Sequence, residues 1–384
     1  MKIEIYQKEL LKGAEIALKL TGGNSGLGDL TVLAENNTIS LIGYDGSYKS
    51  VYKVDDPNKI TVIQPGKIQV SSISITSLVK GFCDSVLSIE LFDKGEILIK
   101  STDENVKTKV KMKSFSNYIE DNLTDIIQDI DNVKIDMPCN VLDNMLTGTM
   151  YAYSRDPQRH FLQGIFIHKE AGSTDINLVA CDGHRIAIDV YPDGSTDKDL
   201  EIKKTIPASM MNAVKSILPK EGMCSFMLNS DKVCKFKVDN IELYSPLVMG
   251  DFVAYGRVIP EDNDKRVVVN KHDIIRAINN VKNGYTASSA TKNERCVVFT
   301  LKGDTLNLGV KDVSEIQVED VVSVENEGSF EIITGFNYNY VIEAAASTPN
   351  DNVVLLLNEA DSRPLVLYGT ESEFPKSIIS PMRV

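Results

Sequence analysis

The residues able to do chemistry are few and scattered along this chain. Its four histidines, His160, His168, His184 and His272, show no HxH or HExxH spacing, so the sequence predicts no metal site. The six cysteines, Cys83, Cys139, Cys181, Cys224, Cys234 and Cys296, have no CxxC spacing and sit mostly among apolar residues. That pattern predicts reduced, buried thiols in a cytosolic protein. The densest run is Cys181-Asp182-Gly183-His184, which sets a thiol, a carboxylate and an imidazole side by side in sequence. A nucleophile must meet its base in space, and a hairpin sends neighbouring side chains to opposite faces, so the run does not read as a catalytic pair. Thr21-Gly22-Gly23-Asn24-Ser25-Gly26 lacks the lysine and the spacing of a P-loop and reads as a connecting loop. With no organised acid–base site, the expectation is a non-catalytic protein without a cofactor.

Two features do not fit a purely structural role. His184-Arg185 is a polar pair leaving a turn just before Ile186. The segment Ile378-Ile379-Ser380-Pro381-Met382-Arg383-Val384 is apolar where chain ends are usually polar and frayed. It reads either as a last core strand or as part of a binding groove.

The elements that position these residues repeat. Ile3-Glu4-Ile5 leads into a predicted helix from Glu9 to Leu20, Val133-Lys134-Ile135 into one from Pro138 to Tyr151, and Val267-Val268-Val269 into one from Lys271 to Lys282. Each is followed by strand, turn, strand, turn, strand: Leu30–Leu33, Thr38–Ile42 and Tyr48–Val54; Leu162–Ile167, Ile176–Cys181 and Ile186–Tyr191; Cys296–Leu301, Thr305–Val310 and Glu315–Val321. Asn36-Asn37, Asp45-Gly46, Asp182-Gly183 and Lys302-Gly303-Asp304 supply the turns. A second half of the same design follows in each third. Its helices are predicted near Ile73–Phe82, Pro207–Leu218 (the proline suiting a first turn) and Asn337–Ala346, with strands at Lys67–Val70, Val86–Leu91, Glu96–Ser101, Lys107–Lys113, Lys204–Ile206 and Ser329–Ile333. The expectation is an α+β chain of three tandem domains, 1–130, 131–262 and 263–384, each made of two β-α-β-β-β motifs. The polar stretch Asn117–Asp131 and the charged Glu261–Lys265 read as linkers.

Composition is ordinary for a soluble globular protein, with 42% hydrophobic and 25% charged residues. No apolar run approaches a membrane span, and Met1-Lys2-Ile3-Glu4 is not a signal peptide. Formal net charge is −13, which argues against gripping nucleic acid over the whole surface. The predicted helices are less acidic than the rest. Lys12, Lys19, Lys80, Lys215, Lys271, Arg276 and Lys282 stand against Glu9, Glu15, Asp143, Asp273 and Glu343.

Four segments resemble one family. Ala180-Cys181-Asp182-Gly183-His184-Arg185-Ile186-Ala187, Phe252-Val253-Ala254-Tyr255-Gly256-Arg257-Val258-Ile259-Pro260, Gly335-Phe336-Asn337 with Tyr340, and Pro381-Met382-Arg383-Val384 are similar, in order and spacing, to the bacterial DNA sliding clamps, the β subunits of DNA polymerase III. The resemblance implies a head-to-tail homodimeric ring, helices lining the hole and sheets outside. Such a ring encircles duplex DNA without reading its sequence and tethers the polymerase catalytic subunit, the clamp loader, repair factors and other proteins carrying the clamp-binding motif. It holds by topology, so few phosphate contacts suffice. On this resemblance Lys12, Lys80, Lys215 and Arg276 face DNA. A pocket between the second and third domains takes partner peptides. Its lining would be Arg159, Leu162, Gly183, His184, Arg185, Ile186, Arg257, Val258, Asn337, Tyr340, Pro381, Met382 and Arg383. The chain departs from the family pattern at Ser380, Val253-Ala254, Ala208-Ser209, Asn24 and Asn283-Gly284. The other reading is a divergent clamp-like scaffold that binds proteins without strong DNA association.

Overall fold

The computed structural model describes residues 1–22, 29–115, 133–192, 199–229, 232–287, 296–310, 317–328, 330–359 and 362–384. Among them the β-α-β-β-β motif recurs six times. The first is β1 (Lys2–Tyr6), α1 (Gln7–Thr21), β2 (Leu30–Glu35), β3 (Thr38–Tyr44) and β4 (Lys49–Val54), with β5 (Ile60–Gln64) as an added strand. The second is β6 (Gly66–Val70), α2 (Ser72–Val79), β7 (Val86–Leu91), β8 (Glu96–Ser101) and β9 (Lys109–Lys113). Next come β10 (Val133–Pro138), α3 (Cys139–Thr149), β11 (Gly164–Lys169), β12 (Ile176–Cys181) and β13 (Arg185–Tyr191), then β14 (Ile202–Pro207), α4 (Ala208–Ile217), β15 (Met223–Leu228), β16 (Val233–Val238) and β17 (Ile241–Pro246). The last two are β18 (Lys265–Asn270), α5 (Lys271–Ala287), β19 (Cys296–Lys302), β20 (Thr305–Val310) and β21 (Glu319–Asn326), and β22 (Ile332–Asn337), α6 (Tyr338–Ser347), β23 (Asn352–Leu357), β24 (Leu365–Gly369) and β25 (Lys376–Ile379).

Successive motifs trade their first strands. β1 pairs with β7 and β6 with β2; β10 pairs with β15 and β14 with β11; β18 pairs with β23 and β22 with β19. Neither motif of a pair completes its sheet without the other, which makes the pair the smallest unit able to close its backbone hydrogen bonds.

The chain groups into two compact units, one of residues 1–140 and 209–247, the other of 141–208 and 248–384. In the first, β4 pairs with β17, fusing eight strands in the order β10-β15-β16-β17-β4-β3-β2-β6, beside a second sheet β5-β1-β7-β8-β9. Helix α1 lies on β3 and β4 and against α2. In the second, β13 pairs with β25, giving a twelve-stranded order β14-β11-β12-β13-β25-β24-β23-β18-β21-β20-β19-β22. Helix α5 packs against α6 and β21; of the apolar stripe Ile274, Ile275, Ile278 and Val281 that its sequence spacing predicts, Ile275 is only partly buried and Ala277 joins the buried face instead.

Several elements differ from expectation. Leu162 lies not on β11 but in a 3-10 turn, Pro157–Leu162, where Asp156 caps the backbone by accepting from Gln158 N–H. Pro207 ends strand β14 rather than opening the helix. β5 had no counterpart in the pattern, because its ITVIQ is mostly exposed and lacks alternation. The supposed linker Glu261–Lys265 is pinned: Asn263 is buried and donates to the carbonyls of Leu356 and Pro364, and Lys265 already belongs to β18. Residues 311–316, Ser329, Asn24 with the rest of loop 23–28, and all of Asn117–Asp131 lie outside the described residues.

Candidate functional site

The candidate site lies within the second unit and is built on one row of the twelve-stranded sheet. Register places Cys181 opposite Ile186, Ile186 opposite Ile378, Ile378 opposite Val366 and Val366 opposite Leu356. Five apolar side chains therefore cross β12, β13, β25, β24 and β23 on one face. Leu162, Phe166, Val179 and Ile188 pack into the same cluster, and Phe252, Val253, Tyr255 and Ile259 close on it from the loop after β17. That loop is held by aromatic chemistry. Phe252 stacks on Phe166 with centroids 4.5 Å apart, and the Tyr255 hydroxyl lies 2.7 Å from His168 Nδ1. Burial pushes Tyr255 up to about 12 and lowers His168, so both stay neutral near pH 7 and the contact is an ordinary hydrogen bond.

The turn before β13 sets the polar rim. Asp182 Oδ1 accepts from the N–H groups of His184 (2.9 Å) and Arg185 (3.1 Å), and Gly183 takes φ +92°. A side chain at Gly183 would also collide with the Arg159 guanidinium, whose Nη1 donates to the Asp182 carbonyl at 2.6 Å. Gly183 is thus required by its backbone conformation, and a side chain there would also have to push aside the end of the Arg159 side chain. Arg185 is buried. Its Nε donates to Asp182 Oδ2 at 3.0 Å, its Nη2 to the Tyr151 carbonyl at 2.6 Å, and its Nη1 to Glu343. Its guanidinium lies 4.3 Å from the Tyr340 ring centroid.

The terminal segment bears out the core-strand reading in its first half. Ile378 and Ile379 are buried strand residues of β25. Beyond them Ser380 N–H donates to the His184 carbonyl at 2.9 Å and Met382 N–H to the Gly335 carbonyl at 2.8 Å. The tail thus spans from β13 to β22, with Pro381 and Met382 half-buried and Arg383 exposed. It lies flat on Gly335, where a side chain would meet Val384 and the Met382 carbonyl. Asn337 caps α6 by accepting from Asn339 N–H, and Tyr340 follows on the same helix.

Of the thirteen predicted lining residues, Leu162, Gly183, His184, Ile186, Tyr340, Pro381 and Met382 gather around this seam. His184, Arg257, Val258 and Arg383 are exposed, and Arg159 is half-buried. Arg185 is spent on internal partners rather than open to a ligand. The sequence reading missed Tyr151, Asp182 and Glu343. The one available signal was Tyr340 and Glu343 at i, i+3, which puts both on one helix face. Cys181 does not act as a nucleophile's thiol: it is buried, its sulfur accepts from Gly183 N–H, and burial pushes its pKa up.

The four helix cations expected to face DNA are Lys12, Lys80, Lys215 and Arg276. Lys80 pairs with Glu15 at 3.2 Å, and Arg276 with Asp320 at 2.9 Å. Lys12 is exposed, its Nζ 4.9 Å from the Tyr52 ring centroid, and Lys215 is half-buried. Among the departures, Ser209 Oγ donates to the Tyr48 hydroxyl, and a side chain at Gly284 would run into Val318. No group of metal-ligating side chains occurs among the described residues, and no helix there is long and apolar enough to cross a membrane.

Comparison with known proteins matches residues 136–253 to the model for the central domain of the DNA polymerase III beta subunit and residues 256–383 to that for its C-terminal domain. The "Beta sliding clamp" of Proteus mirabilis is 23% identical over 403 residues, covering all of both chains, and that of Vibrio cholerae is 21% identical over 390. Among solved structures, a DNA polymerase sliding clamp from Pseudomonas aeruginosa, crystallised with a ligand, superposes with TM-score 0.87 at 19% identity over the full length of both chains. One from Bacillus subtilis gives 0.85 at 19%, covering 100% of this chain and 99% of that one.

Proposed function

This chain belongs to the DNA polymerase III beta subunit family, the bacterial sliding clamps, and from that premise we propose how it works. It is a DNA sliding clamp, the processivity factor of a replicative polymerase. In our reading it acts in the cytoplasm without catalysing a reaction, as a homodimeric ring of three domains per subunit (1–130, 131–262 and 263–384). The ring encircles duplex DNA and tethers polymerase, loader and repair proteins through the β13–β25 groove.

The observation that carries the reading is the terminal segment Ser380–Arg383, strung from the His184 carbonyl to Gly335 beside an apolar row five strands wide. Apolar walls with a polar rim suit a short peptide bearing leucine and phenylalanine anchors. Ring closure is supported by two edges of opposite charge. β9 carries Lys109, Lys111 and Lys113 and ends its sheet, while the stretch 319–323 of β21 pairs only with β20 and begins Glu319-Asp320. A strand edge left open is a template for pairing with another chain. The internal ion pairs on Lys80 and Arg276 support a loose hold on DNA, because a cation already neutralised displaces few counterions. They are also what a protein-binding scaffold with little DNA association would show.

The test is fluorescence anisotropy with a labelled Gln-Leu-Ser-Leu-Phe peptide, run against the whole chain and a version lacking Ser380–Val384. Micromolar binding to the first and none to the second is expected; equal binding to both would sink the groove. Retention on circular DNA after loader action is expected as well, and its failure would favour the scaffold.

A further inference from the structure

We propose that Arg185 acts as a positioning residue, through Glu343, that fixes one wall of the groove against the other, and that it makes no contact with the incoming peptide. The inference rests on the groove reading above. Three observations point to it. The guanidinium is 9% exposed and all three of its nitrogens are committed: Nε to Asp182, Nη1 to Glu343, Nη2 to the Tyr151 carbonyl. Its flat face is covered too, by Tyr340 at 4.3 Å and Tyr151 at 5.1 Å. Three of its five N–H groups are thus spent and both faces are stacked, which leaves little to offer a ligand.

The second observation is what those partners are. Asp182 belongs to the turn that presents His184, and His184 holds the tail through its carbonyl. Glu343 and Tyr340 are one turn apart on α6, whose N-cap is Asn337. One side chain therefore joins the turn, the helix and, through Tyr151, the partner of Ser377: the Tyr151 and Ser377 hydroxyls lie 2.5 Å apart beneath β25. The planar guanidinium reaches these partners in a fixed fork while its flat face lies against Tyr340 and Tyr151; an ammonium has neither the fork nor the face.

The third observation is the asymmetry of the pair. Arg185 is 9% exposed, whereas the Glu343 side chain is 46% exposed. The lock is thus set from the solvent side, by a residue that borders the groove without being part of its apolar floor.

The test is a double-mutant cycle on peptide affinity. Binding of the labelled Gln-Leu-Ser-Leu-Phe peptide is measured for wild type, Arg185→Lys, Glu343→Gln and the double variant, with thermal melts of each. If Arg185 positions through Glu343, each single variant loses about fivefold to tenfold in affinity, and the double loses no more than either single. Melts of Glu343→Gln stay within a degree or two of wild type, because Glu343 is half-exposed and the buried Arg185 keeps its ion pair with Asp182. Glu343→Asp, which keeps the charge on a shorter stem, recovers part of the affinity. Additive losses, or an unchanged affinity for Glu343→Gln, would overturn the proposal. Failure of wild type itself to bind would instead overturn the groove reading.

Discussion

Two seams in this molecule are made the same way and end differently. In the first unit β4 pairs with β17; in the second β13 pairs with β25. Each is preceded by an Asp-Gly turn. Asp45 Oδ1 accepts from Ser47 and Tyr48 N–H at 2.8 Å each, as Asp182 does from His184 and Arg185, and Gly46 takes φ +99° where Gly183 takes +92°. Each strand then starts on a buried cation, Lys49 or Arg185. From there they diverge. Around Lys49 the strands close over themselves: Lys49 and Lys235 lie 5.4 and 5.3 Å from the Tyr244 ring centroid, Lys235 pairs with Glu242 at 3.0 Å, and the Tyr244 hydroxyl donates to Glu242. The buried apolar cluster there is three residues, Val51, Val233 and Tyr244. At the second seam the cation reaches off the sheet to a helix, and the face it leaves behind is an apolar row with a tail across its end. The lesson is that strand pairing makes a seam, and what the neighbouring side chains do with the charge decides whether it can take a ligand.

The sharpest way to break this contrast is at the tail. Met382→Ala combined with loss of Arg383-Val384 should abolish peptide binding, a loss of more than about thirtyfold, by analogy with buried interface anchors. The fold should survive, since Ile378 and Ile379 remain in β25. Anisotropy with a parallel melt decides it, and unchanged affinity would remove the tail from the site.

The two turns offer the next test. Gly183→Ala meets both a positive φ and the Arg159 guanidinium, whereas Gly46→Ala meets the φ alone, with nothing within 4 Å of the added carbon. The first should cost about 3 kcal/mol and the second about 1 kcal/mol in urea melts. Equal costs would mean the Arg159 contact is easily displaced.

Asp189 on β13 gives the second seam a pH dependence. Burial raises its carboxyl to about 6, well above the ordinary carboxylate range, against the opposing hydrogen bond from Val190 N–H. The folded state therefore holds a proton that the unfolded chain gives up near pH 4. This contribution is fully present below about pH 4 and is lost as pH rises through 6, amounting to about 3 kcal/mol by pH 8. Asp189→Asn should stabilise the protein by that amount at pH 8 and leave it unchanged at pH 4; equal effects at both values would refute the assignment.

The smallest expected effect is at the first seam. Tyr244→Phe removes a hydrogen bond to a half-buried Glu242 and should cost about 1 kcal/mol. Peptide affinity should not move, and a loss there would show that the two seams are not independent.

Much of this was legible in the residues. β7, β8, β12 and β20 begin and end where alternation meets turn residues, because period-two burial and Gly, Asp or Asn turns are local properties. The six-motif repeat was legible for the same reason. Leu162 was misplaced because an apolar residue reads alike on a strand and under a 3-10 turn, and only the Asp156 cap distinguishes them.

The sequence by itself determined the elements, their order, the turns and the apolar character of the tail, since these follow from side-chain periodicity and backbone preference within a few residues. Tertiary structure alone decided which strands trade places, that β13 meets β25, and that Arg185 turns inward to Asp182, Tyr151 and Glu343. Those contacts join residues as far apart as 185 and 343. An arginine's environment is set by what folding brings to it, and no local pattern around Arg185 encodes a carboxylate from another helix.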